Sequence, residues 1–115
     1  MLTLPAQTRV LLCSAAVDMR KSFDGLIGVV RNYLNGDPLK GDYFVFQNRN
    51  HNRLKILYWD GDGFVIWYKG LEQGTFRFPK SDDVKLEVTR KELAMILEGL
   101  DSAKMVQRRR YRYLA

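Results

Sequence analysis

Apolar residues recur along this chain with two different periods, and the switches between them mark its elements. Val10-Leu11-Leu12-Cys13 lies in a short apolar run, Arg9 to Ala15, of the length of a buried strand. Phe23, Leu26, Ile27, Val30 and Leu34 then recur at intervals of three and four, which puts one apolar stripe on a helix. Ser22 stands where a hydroxyl caps such a helix, and Asn35-Gly36-Asp37-Pro38 stops it. Gly25 and Gly28 each weaken the helix by about 1 kcal/mol relative to alanine, so either they permit close packing or the helix does not run through them.

Tyr43 to Gln47, Leu54 to Trp59 and Phe64 to Lys69 read as three consecutive antiparallel strands. A six-residue polar loop joins the first two, and the turn Asp60-Gly61-Asp62-Gly63 joins the second two. Ile56 and Tyr58 face one way and Leu57 and Trp59 the other, so neither face can be left in water and helices or a partner chain must cover the second. Thr75 to Phe78 and Val84 to Val88 are shorter, edge-like strand candidates, the first closed by Pro79. Thr89 with Glu92 makes a capping box ahead of Leu93, Ile96, Leu97 and Leu100, which predicts a helix ending at Gly99. The expected fold is α+β: an N-terminal strand and helix, an antiparallel meander of four or five strands, and a C-terminal amphipathic helix against the sheet.

Composition adds boundaries rather than detail. The 115 residues suit one domain, 1–115, with a basic tail at 104–115. No apolar run approaches the ~20 residues of a membrane span, and Met1 to Gln7 lacks the pattern of a secretory signal, so a cytoplasmic protein is expected. The lone Cys13 is expected to be a small buried apolar residue. Net charge is +6, which favours polyanionic partners, and Arg108, Arg109, Arg110 and Arg112 supply four of those charges.

Two segments have the residue types that contact nucleic acid. One is the loop Asn48-Arg49-Asn50-His51-Asn52-Arg53 with Lys55 beside it: arginine forks suit phosphate or guanine edges, and asparagine pairs with adenine. The other is the tail Arg108-Arg109-Arg110-Tyr111-Arg112-Tyr113, where cations neutralise phosphate and rings stack on bases. Against these stand an ordinary solvated loop and a frayed terminus. Arg20 and Lys21 oppose the positive end of the first helix, so either they bind an anion or they pair with Asp18 and Asp24. Trp59, Trp67 and Tyr68 are packing residues or a partner interface, through which copies of the chain or another protein assemble. Asp60 and Asp62 fit a turn better than a metal site, and the single histidine has no nucleophile beside it, so neither an enzyme nor a metal or other cofactor is expected.

Four stretches carry a resemblance: Asp18-Met19-Arg20-Lys21-Ser22-Phe23-Asp24-Gly25-Leu26, Phe44-Val45-Phe46 with the Asn48-Arg49 loop, Arg53 to Asp62, and Trp67-Tyr68-Lys69 through Phe76-Arg77-Phe78-Pro79. Over positions 9 to 100 the chain resembles the TnpB-type accessory proteins of insertion-sequence family sixty-six, which are unrelated to the RNA-guided nuclease of the same name. The resemblance implies a non-enzymatic bacterial protein needed for transposition, with DNA and a DDE-type transposase of the same element as partners. Gln47, Asn50, His51 and Asn52 depart from the more basic loop of that family.

Overall fold

A computed structural model describes residues 7–99. Five strands, β1 (Val10–Cys13), β2 (Tyr43–Gln47), β3 (Arg53–Trp59), β4 (Phe64–Gly70) and β5 (Lys85–Val88), form one sheet in the order β4-β3-β2-β1-β5. Two helices, α1 (Phe23–Asn32) and α2 (Arg90–Glu98), cover it.

The fold is α+β with β2-β3-β4 as the expected antiparallel meander, and the one correction is that the whole sheet is mixed. β1 runs parallel to β2, with Val10 opposite Tyr43 and Leu12 opposite Val45, while all other neighbours are antiparallel. The cause lies in the connection: α1 carries the chain back along the sheet between β1 and β2, so both strands start from the same end. Strand alternation then sorts the side chains into two cores. Leu11, Cys13, Phe44, Phe46 and Leu57 meet Leu26, Val30 and Leu34 on the α1 side. Val10, Leu12, Tyr43, Val45, Leu54 and Ile56 meet Leu93 and Ile96 of α2 on the other. Burial of each such aliphatic side chain is worth roughly 1.5–3 kcal/mol. Cys13 belongs to the first core, where burial pushes its thiol pKa up.

Residues 75–78 form no strand. Phe76 instead plugs the α2-side core, fully buried, and its N–H donates to the His51 carbonyl at 2.7 Å. The strand expected over Thr75 to Phe78 is thus absent: Phe76 points inward as a side-chain plug, which needs no ladder of partners. Ser22 sits at the start of α1 without donating or accepting a capping bond, and Phe23 of the predicted stripe is exposed. Gly25 admits the Lys21 stem, whose Cβ would lie 3.0 Å from a methyl placed there. At α2 the capping box is complete: Glu92 N–H donates to Thr89 Oγ1 at 3.0 Å, and Thr89 N–H donates to Glu92 Oε1 at 2.9 Å.

Thr89→Ala is therefore expected to lower unfolding free energy by about 1 kcal/mol in urea titrations, and Ser22→Ala to change it by only a few tenths.

Candidate nucleic-acid interface

Because β1 and β2 are parallel, the segments that follow them leave the sheet at one end. Val17 N–H donates to the Gln47 carbonyl at 2.9 Å and ties the two exits together. From that end project the loop at 48–52 and the turn at 18–21.

The loop is folded by its own asparagines. Asn48 Oδ1 accepts from the N–H groups of Asn52 and Arg53 at 3.0 Å each, and its Nδ2 donates to Asn52 Oδ1 at 2.8 Å. His51 takes a left-handed backbone, φ 59°, which the turn requires. Two further bonds moor the loop to the stretch after β4: Leu71 N–H to the Asn52 carbonyl and Phe76 N–H to the His51 carbonyl. Asn48 and Asn52 are thus spent on the scaffold, and Arg49, Asn50 and His51 are left exposed at its tip. The Phe76 bond also brings exposed Arg77 beside the tip, 28 residues away in sequence from Arg49, a neighbour no local pattern announces.

The candidate cations divide by environment. Arg49 has no hydrogen bond or ion pair among the described residues and is exposed. Arg53 is half-buried: its Nη1 donates to the carbonyls of Asn52 and Leu71 at 3.1 and 3.4 Å. Its side chain passes over Gly70, where a Cβ would come within 3.0 Å of Nε. Lys55 is only 8% exposed and points inward. Its ammonium donates to the Met19 and Lys21 carbonyls at 2.9 and 2.8 Å and lies 4.8 Å from the centre of the Tyr68 ring. With two of its three N–H donors on carbonyls and the side chain buried beside Tyr68, Lys55 faces away from the outward contacts and becomes the post that holds the turn at 18–21. Arg108, Arg109, Arg110 and Arg112 lie outside the described residues.

At that turn the structure pairs Arg20 with Asp18. Arg20 Nη2 donates to Asp18 Oδ2 at 2.7 Å, Nε reaches both carboxylate oxygens, and the Arg20 N–H adds a bond of 2.9 Å. Those bonds hold the Asp18 carboxyl down at a pKa of about 2. Lys21 is exposed beside them. The aromatic trio is split by strand alternation. Trp67 packs into the α2-side core, whereas Tyr68 lies over Lys55 on the α1 side with 53% of its surface exposed. Trp59 meets Phe64 edge to face at 5.0 Å at the far end of the sheet. A cleft of about 710 Å³ opens there, lined by Arg9, Asp42, Tyr58 and Trp59, but Arg9 is already bonded to Glu87 at 3.0 Å.

Fold and site together define a small α+β scaffold that holds exposed arginines at one end of a mixed sheet. The chain belongs to the IS66 Orf2-like protein family, whose pattern matches residues 8–107. That family is associated with transposition in an accessory role. Among its relatives is the uncharacterized protein y4jC of Sinorhizobium fredii, 38% identical over 93 residues, or 81% of this chain and 80% of that one. The uncharacterized protein y4hO of the same organism is 32% identical over 101 residues, 88% of each chain. No solved structure matches the chain. No helix among the described residues is long and apolar enough to cross a membrane.

Two outcomes follow from the turn and its post. Lys55→Met leaves two carbonyls without their donor and is expected to cost about 2 kcal/mol of stability by chemical denaturation. Asp18, depressed in the folded state, stabilises the fold above its unfolded pKa and loses that contribution as pH falls toward 2. Carboxyl titration followed by NMR should place its midpoint near 2, and in Arg20→Ala the midpoint should return toward the ordinary value of about 3.9.

Proposed function

We propose that this chain is a non-enzymatic accessory protein for transposition of an IS66-type element. It grips the DNA backbone through the Arg49–His51 tip, with Arg53, Arg77 and Lys21 at the same end. The tail arginines, Arg108 to Arg112, extend the grip, and the DDE-type transposase of the element is the protein partner. The reading rests on family membership for the process and on one structural observation for the contact. The tip carries an unpaired arginine on a loop tied down by the three Asn48 side-chain bonds and by the backbone bonds to Leu71 and Phe76, whereas the strand lysines Lys55, Lys69 and Lys85 all turn their ammonium groups onto carbonyls of their own chain. A rigid tip gives up little conformational entropy when it docks, which favours its use as a contact.

Phosphate contact predicts a specific salt response. The log of DNA affinity should fall linearly with log salt, and Arg49→Ala or Arg77→Ala should each flatten that slope by about one. Both variants should keep wild-type stability to within about 0.5 kcal/mol. A salt-independent complex, or slopes unchanged in both variants and on removal of residues 105–115, would refute the contact. Capture of the transposase with and without element-end DNA then tests the protein partner separately.

A further inference from the structure

The two edges of the sheet are built differently. β5 has four residues and bears the exposed Glu87, the short, charged design that keeps an edge from pairing with another chain. β4 has seven, Phe-Val-Ile-Trp-Tyr-Lys-Gly, and lacks every such device. It contains no proline. Its register with β3 runs unbroken from Arg53 opposite Gly70 to Trp59 opposite Phe64, so no bulge turns the edge away. Its one charged side chain, Lys69, sends the ammonium to the Leu97 carbonyl at the end of α2, at 3.1 Å. Among the described residues no strand pairs with the outer side of β4. Phe64, Val65, Ile66 and Trp67 are only half-buried, and Tyr68 is exposed.

We propose that β4 is the seam of a symmetric homodimer, in which two copies join their β4 strands antiparallel into one continuous sheet. Complementarity selects a second copy as the occupant. Antiparallel pairing about Ile66 sets Ile66 against Ile66, Phe64 against Tyr68, and Val65 against Trp67. Opposed residues share a face, so an aromatic and aliphatic layer continues across the α1 side, and a small residue meets a large one on the α2 side. The ends match in charge as well. The same register brings Asp62 of each copy opposite Gly70 of the other, the glycine over which the Arg53 side chain passes. The two-fold axis makes that acid-to-base contact twice, as an isologous interface must. Lys69 faces Gly63, so no like charges are opposed along the seam.

The dimer does not depend on the DNA contact, and its test uses the full-length chain without nucleic acid, so either can fail alone. Sedimentation equilibrium should give twice the chain mass. Ile66→Lys, which sets two ammonium groups across the axis, should give a folded monomer by circular dichroism. Ile66→Cys should form a disulfide-linked dimer under mild oxidation, since Cβ atoms opposed across an antiparallel pair lie about 4.5–5.5 Å apart, and Glu87→Cys on β5 should not. The cysteine comparison carries the test if the lysine variant does not fold. A wild-type chain that stays monomeric at its highest soluble concentration overturns the proposal, as does equal cross-linking from β4 and β5. A strand supplied by a different protein would appear as that monomer.

Discussion

Lys55 carries a positive charge into the interior from the middle of β3, and the arrangement around it follows from the need to solvate that charge without water. Two backbone carbonyls and the face of Tyr68 take the place of the lost hydration shell. The carbonyls belong to Met19 and Lys21, so the turn before α1 can lie nowhere else than against the sheet. The same device recurs with less burial. Lys69 of β4 donates to Leu97 at the end of α2, and Lys85 of β5 donates to Leu34 just past the end of α1. Helix C-termini hold orphan carbonyls and partial negative charge, and a cation there is favourable on both counts. Three strand-borne lysines thus lash the turn and both helices to the sheet.

That use of lysine changes what the net charge means. A chain of charge +6 invites the inference that its cations face a polyanion, yet these three are bonded to carbonyls of their own chain. Arg9 and Arg20 are bonded to Glu87 and Asp18. Among the described residues Arg49, Lys21 and Arg77 are exposed at the end of the sheet where the loop at 48–52 and the turn at 18–21 meet, while Arg31, Lys40, Lys80 and Lys91 are exposed elsewhere on the surface. The polar loop owes its precision to Asn48, whose side chain substitutes for a missing peptide group.

Local patterning made most elements legible. The stripe after Ser22, the Thr89 and Glu92 capping box and the Asp-Gly turn each state their element within a few residues, and α2 ends at Gly99 as the pattern implied. Parallel pairing of β1 with β2 was harder, because it is a property of the crossover rather than of either strand. Residues 75–78 alternated like a strand because Phe76 must point inward, and alternation does not reveal whether a neighbouring strand is there to pair with. Among the candidate contacts, arginine and lysine looked alike on the page. Burial separated them: Lys55 sits on a strand whose alternate position faces the α1-side core, whereas Arg49 sits at a tip with nothing above it. The nearness of Arg77 to Arg49 depends on a single long-range backbone bond that no spacing rule contains.

The state of the Lys55 ammonium is the quantity on which this arrangement turns, and NMR reads it directly. Held by two carbonyls beneath Tyr68, its NH3⁺ protons should exchange slowly enough to be seen, and its side-chain methylene protons should move upfield under the ring current. An ammonium signal lost to fast exchange, with methylene shifts like those of a free lysine, would contradict the account.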